Sequence, residues 1–246
     1  MKYIQRFLLI ILFVFILISG GFVAWALNAA QSGQVALNAL VSDDNVIVNH
    51  TTSYIAFQPM NVQPSTGLIF YPGGRVDYRA YAPALRQIAE QGHLVVLVPV
   101  RLNLAFFDIE AGAPALKDFP QIEAWAAGGH SLGGVAASLF AANHPEISGI
   151  VYWASYPAND RLKEAGLKTL SIYGTQDGLA TPETIQQNKP LMPVDSLFYP
   201  IEGGNHAQFG DYGEQSGDLP AEISPEEQWQ QISRLTAEFL ETLLGE

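Results

Sequence analysis

Gly129-His130-Ser131-Leu132-Gly133 fits the pattern G-x-S-x-G, and Gly134 extends it. The run stands between a weakly apolar stretch, 122–128, and a helix-forming one, 135–143. That is the setting of a nucleophile elbow, a turn from strand to helix so tight that only small residues fit on both sides of the serine. Such a turn lifts the hydroxyl clear of the sheet and leaves the following amide free to bind an oxyanion. A glycine-rich turn can hold a serine for no chemical reason, so the pentapeptide alone decides little. Two downstream turns decide more. Gly174-Thr175-Gln176-Asp177-Gly178 comes after the apolar run Thr169 to Tyr173, and Gly203-Gly204-Asn205-His206 after the run 196–201. Ser131, Asp177 and His206 therefore stand just past predicted strands, 46 and then 29 residues apart, in the order in which an elbow serine is followed by its acid and its base.

Around these turns, helix and strand alternate. Val46-Ile47-Val48 and Tyr54 to Phe57 read as an opening pair of strands after a tether or short strand over 31–44. Gly67 to Tyr71 is a compact apolar strand stopped by Pro72-Gly73-Gly74, and Tyr78 to Glu90 a helix with an apolar stripe at Tyr81, Leu85, Ile88 and Ala89. Leu94 to Val98 and Ile147 to Trp153 are further buried strands. The segment 101–121 reads as loop with a short helix near Pro114 to Asp118. Thr181-Pro182 and Ser224-Pro225 each supply a cap and a first-turn proline for a helix. In the last helix Trp229, Ile232, Leu235, Phe239 and Leu243 recur at helical spacing and should face the sheet. Such alternation predicts an α/β fold with a mostly parallel sheet covered on both faces. Only Ala154 to Gly166 separates Trp153 from the next strand, which leaves room for a minimal lid and an open site.

The first 30 residues stand apart. Lys2 and Arg6 precede an apolar run from Phe7 to Leu27, 21 residues, enough to cross a bilayer as a helix. Ala24-Trp25-Ala26 offers a small-x-small cleavage site, but bulky residues persist almost to the end of the run, which favours a retained anchor over a secretory signal. With both early cations before the span and no further basic residue until Arg75, the remainder should lie outside the cytoplasm, either anchored at the cell membrane or secreted after cleavage. The expected organisation is a transmembrane helix over 1–30 and one α/β domain over 31–246. That domain carries ten basic and 24 acidic residues, a balance of −14 that argues against a nucleic-acid partner. The acid gathers late, where ten carboxylates from Glu202 onward face Arg234 alone, and a solvated face is the simple reading. With no cysteine in the chain, thiol catalysis and disulfides are excluded. No metal or organic cofactor is expected, and no protein partner can be inferred.

Taken together, Tyr71 to Asp77, Gly128 to Gly134, Tyr173 to Gly178 and above all Glu202-Gly203-Gly204-Asn205-His206-Ala207-Gln208-Phe209-Gly210 make the chain similar to a bacterial family of small, often membrane-anchored α/β hydrolases, over most of residues 67–240. The resemblance implies an α/β-hydrolase fold and a serine hydrolase, without a substrate. On the residues themselves, Ser131 would attack an acyl carbon, His206 would move its proton, and Asp177 would hold the imidazole in the productive tautomer. The oxyanion would lie between the amide of Leu132 and a second from the loop after Tyr71, either Gly74 or Arg75. Asp160, Asp195 and Asp211 are the rival acids. His130 should pack locally rather than act as a base, His93 and His144 should cap or sit at the surface, and His50 should lie in a loop. Arg75 and Tyr156 are candidate substrate contacts for a small acyl compound, with Tyr78, Phe106, Phe107 and Trp153 as further candidates that could equally be core. A domain of this fold kept as a membrane-anchored binding or scaffold module is the alternative function.

Overall fold

The computed structural model describes residues 2–245. Eight strands form one sheet in the order β1-β2-β4-β3-β5-β6-β7-β8. They are β1 (Val46–His50), β2 (Ile55–Pro59), β3 (Thr66–Tyr71), β4 (Leu94–Leu97), β5 (Ala124–His130), β6 (Ile147–Trp153), β7 (Lys168–Gly174) and β8 (Leu197–Ile201). β1 pairs antiparallel with β2, and β2 with β4, while every pairing from β4 through β8 is parallel. The side-chain alternation of a strand divides each central one between two cores. In β3, Leu68 and Phe70 join one cluster while Ile69 and Tyr71 join the other. β4 splits the same way, with Val95 and Leu97 against Leu94 and Val96.

Helices α3 (Ala82–Glu90) and α7 (Pro225–Glu241) cover the first face, through Leu85 and Ile88 on one and Trp229, Ile232 and Phe239 on the other. On the second face, α4 (Ala113–Asp118) and α5 (Leu132–Ala141) contribute Ala115, Ala136, Ala137 and Phe140. The predicted caps form as drawn from sequence. The Thr181 side chain accepts the amide of Thr184 at the head of α6 (Pro182–Asn188). Ser224 and Glu227 exchange reciprocal bonds at the head of α7, satisfying amides that have no partner within the helix.

Three expectations need correction. Residues 31–44 contain a short helix, α2 (Gln34–Ala39), rather than a strand, because the Gly33 carbonyl and the Asp211 carboxylate accept its first amides. His50 is the last residue of β1, where it pairs with Ile55, and is not in a loop. His93 is not a surface group. It is buried at the head of β4 with Nδ1 2.5 Å from the Thr66 hydroxyl. His144, at the end of α5, does remain accessible enough to pair with Glu110 at 2.7 Å.

The N-terminal helix α1 (Lys2–Leu27) leaves the domain with its apolar side chains exposed, and over Tyr3–Leu27 it is long and apolar enough to cross a membrane.

Two interior histidines should make the fold sensitive to acid. His93 and His130 are both buried, and burial, the largest cause in each case, holds both below the ordinary histidine value. The neighbouring His206 pushes His130 further down. An unfolded chain takes up a proton on each near pH 6.5, whereas the folded chain resists it. Their contribution to stability is therefore complete above about pH 6.5 and is lost as pH falls below that value towards the folded ones. Thermal unfolding of the chain should show a level Tm from pH 8 to 7 and a falling one from 6.5 to 5. His130→Gln should flatten that fall; an unchanged slope in the variant would show that His130 does not cause it.

Candidate active site

The candidate serine sits at the C-terminal edge of the sheet, between the end of β5 and the start of α5. Its backbone has φ 51° and ψ −120°, a left-handed conformation that an L-residue adopts only under constraint. Several contacts impose it. Ser131 N donates to the Trp153 carbonyl at 2.9 Å, and Ser131 O accepts the hydroxyl of Ser155 at 2.6 Å. A side chain on Gly133 would run into the carbonyls of Tyr71 and Pro72, and one on Gly129 into the backbone of Gly133 and Gly134. The two glycines of the pentapeptide are thus there for close approach, the first to the helix and the second to β3. The weak β-propensity of β5 has the same origin. On Gly128 a Cβ would lie 3.0 Å from the Val151 carbonyl and 3.1 Å from Leu68, so at this position the strand passes between β3 and β6 only with glycine.

Asp177 and His206 come from the loops after β7 and β8, and their side chains meet with His206 Nδ1 2.8 Å from Asp177 Oδ2. Both are buried, at 2% and 1% exposure, which shields the pair from competing water. The other carboxylate oxygen of Asp177 accepts the amides of Leu179 at 2.8 Å and Ala180 at 2.7 Å, fixing its orientation. Among Asp160, Asp195, Asp211 and Asp177, it is Asp177 that meets the ring. Asp211 is committed elsewhere, accepting the amide of Ala36.

His206 and Ser131 line the same cleft of about 360 Å³, together with Leu132, Ser155, Tyr156, Leu179 and Gln215. No hydrogen bond joins Ser131 to His206 among the described residues, a separation common in unliganded sites, where such contacts tighten only around substrate. His130 turns away from the cleft, as sequence suggested. Its Nδ1 meets the Tyr81 hydroxyl at 2.8 Å, its ring stacks on Phe209, and its burial keeps it uncharged.

The loop after β3 supplies candidate donors. Gly73 N donates to the Tyr81 hydroxyl at 3.0 Å and Arg75 N to the Asn103 carbonyl at 2.8 Å, so neither is free for an oxyanion. Among the described residues Gly74 N has no acceptor, and Leu132 N, first in α5, is one of the amides a helix leaves without an internal partner. The two residues are neighbours, since a Cβ on Gly74 would lie 3.0 Å from the Leu132 side chain.

Tyr156 borders the cleft, whereas Arg75 does not. The Arg75 guanidinium donates to the carbonyls of Trp25 at 3.0 Å and Asn28 at 2.8 Å and lies 4.5 Å over the Trp25 ring, because the carbonyls at the end of α1 need donors. Trp153 is core, and Phe106 and Phe107 are half exposed away from the cleft lining. Sequence reasoning missed Leu179, Gln215 and Asp218. Asp218 accepts the amides of Gly178 at 3.0 Å and Ala207 at 2.8 Å, tying the Asp177 loop to the His206 loop. Its signal in the sequence is only one carboxylate among many in an acidic region, which tertiary contact alone singles out.

No curated protein sequence matches the chain. Solved structures do. The esterase domain of a Rhodothermus marinus protein superposes with a TM-score of 0.59 at 12% identity, covering 79% of this chain and 96% of that one. Est1E from Butyrivibrio proteoclasticus gives 0.57 at 14% identity, with 80% and 100% covered. The esterase Est2 from Thermogutta terrifontis gives 0.54 at 16%, with 82% and 92% covered. At these identities the likeness is one of fold. The sequence pattern of the alpha/beta hydrolase family matches residues 67–230, from the strand that precedes the glycine-rich loop to the start of the last helix. With that match over about two thirds of its length, laid on the same fold, the chain belongs to the alpha/beta hydrolase family.

Proposed function

We propose that the protein is a serine hydrolase that cleaves carboxylic esters or related acyl compounds, held at the outer side of the cell membrane by α1. The observation that carries this reading is the buried Asp177–His206 pair, whose histidine lines the same cleft as a serine in a strained elbow. Asp177 accepts the Nδ1 proton and leaves Nε2 of His206 as the basic nitrogen. Nε2 takes the hydroxyl proton as Ser131 Oγ attacks the acyl carbon, and the carbonyl oxygen becomes an oxyanion held by the amides of Leu132 and Gly74. Collapse expels the alcohol, which receives the proton from His206, and leaves an acyl-serine. Water then repeats the cycle, giving its proton to His206, and the acid departs as Ser131 recovers its hydrogen. The esterase names of the structural relatives agree with this chemistry without fixing the acyl group. Nothing in this scheme needs a metal, so a chelator should leave the rate unchanged.

Retention of α1 is supported by its end. Ala26 is fully buried, and the carbonyls of Trp25, Ala26 and Asn28 are held by Arg75 and Asn103, so the candidate cleavage site is part of the folded structure. Lys2 and Arg6 before the span support an orientation with the domain outside the cytoplasm.

Ser131→Ala should abolish hydrolysis of a short-chain aryl ester and labelling by a fluorophosphonate probe, with an unchanged circular dichroism spectrum. Equal labelling of wild type and variant would remove Ser131 from the role. Asp177→Asn should keep the serine reactive in principle but lower kcat by about 10,000-fold, the loss expected when the imidazole is held in the wrong tautomer. A loss of less than about tenfold would give the acid's role to another carboxylate.

A further inference from the structure

The end of α1 is bound into the same edge of the sheet that carries the candidate site. Arg75 caps the carbonyls of Trp25 and Asn28, and Asn103 Nδ2 reaches the carbonyl of Ala26 at 3.2 Å. Two residues beyond Asn28, Ala30 pairs with Val76 as a parallel bridge, accepting from Asp77 N and donating to Arg75 O, both at 2.8 Å. Gly33 N and Ala36 N then bond to Asp211. A tether stitched at so many points cannot let the domain swing away from the helix. Chain length sets a second limit. From Leu27 to Ala30 the backbone spans at most about 10 Å, and Ala30 is bonded to the loop that carries Gly74.

A continuous path of contacts joins the cleft to the helix. Leu132 lines the cleft and lies against Gly74, whose added Cβ would meet Leu104 at 3.7 Å. Leu104 opens the short helical turn Ala105–Phe107, and Phe107 meets Phe22 of α1 edge to face at 6.2 Å. Phe106 and Phe107 are each 47% exposed, and Trp25, whose ring lies 5.8 Å from that of Phe22, is 49% exposed. Helix geometry gives this cluster a place. The run Phe7 to Leu27 rises about 30 Å, the thickness of a hydrocarbon core, which sets Leu27 at its boundary and Trp25 in the layer where aromatic residues collect.

Resting on the anchored serine-hydrolase reading above, we propose that Phe106 and Phe107 lie in the interfacial layer of the bilayer that α1 spans. The cleft then opens at the membrane surface, and its substrates are acyl esters resident in the leaflet facing the domain. Two exposed phenylalanines in water would be an idle cost; at the interface they bury apolar surface and hold the cleft against the lipid.

The full-length chain, reconstituted in phosphatidylcholine vesicles with or without lipids brominated along the acyl chain, tests this directly. Trp125, Trp153 and Trp229 are buried, so quenching of the wild type reports Trp25, and quenching of a Trp25→Phe, Phe107→Trp variant reports position 107. Both should be quenched by brominated lipid and protected from aqueous iodide. In parallel, Phe106→Asp with Phe107→Asp should lower kcat/KM at least about tenfold on a long-chain fluorogenic ester embedded in the vesicles, while a soluble short-chain ester is hydrolysed within about twofold of the wild-type rate. Quenching at Trp25 without quenching at position 107 would leave the anchor standing and overturn the proposal. Absence of quenching at Trp25 would overturn the anchor and the proposal together. Equal loss on both esters, with fluorophosphonate labelling of Ser131 intact, would refute the membrane-resident substrate while sparing the serine's role.

Discussion

The backbone of Ser131, held at φ 51° where the chain turns from β5 into α5, is the constraint on which the rest of the architecture depends. A conformation of that kind costs on the order of 1–3 kcal/mol and persists only where its surroundings leave no alternative. Here the surroundings are the two neighbouring strands. β3 offers carbonyls against which nothing larger than glycine fits at position 133, and the end of β6 fixes Ser131 through the carbonyl of Trp153 and the hydroxyl of Ser155. The requirement spreads backwards along β5, whose alanines and glycines make a poor strand in isolation and a well-fitted one between β3 and β6.

The polar groups around this turn come from loops at one edge of a rigid sheet, which is how such scaffolds combine precision with variable chemistry. Asp177 and His206 leave adjacent parallel strands, β7 and β8, so their loops begin side by side and a single hydrogen bond can join them. Asp218 then crosses between the two loops and removes their freedom to separate. Behind the pair, His130 packs its ring 4.4 Å from that of His206. Kept neutral by burial, it adds bulk without adding a charge that would disfavour an imidazolium on its neighbour.

Composition places a break near residue 30, but no structural gap falls there. The carbonyls at the end of α1 find donors in Arg75 and Asn103, residues of the loops around the candidate site, and Ala30 is already paired with Val76. A helix whose last carbonyls lack internal partners must find donors, and those on offer here belong to the domain. The apolar span and the α/β domain are therefore joined by hydrogen bonds as well as by the chain.

Local chemistry made much of this legible in advance. The elbow glycines, the Thr181 and Ser224 caps and the apolar stripe of the last helix are each written in neighbouring residues, because turns, caps and helix faces depend on spacings of a few positions. What sequence left open lay in contacts between distant segments. The choice between Gly74 and Arg75 as a free amide turned on Asn103, 28 residues beyond Arg75, and the side chain of Arg75 belonged to a helix end some 50 residues before it. His93 read as a surface group because its partner, Thr66, lies on a neighbouring strand, and Asp218 stood out from the surrounding acid only once two loops closed on it. The sequence by itself determined the fold class and the residue types that could do chemistry; the tertiary structure decided which of their polar groups are free and which are already bonded, since that depends on partners no local spacing can specify.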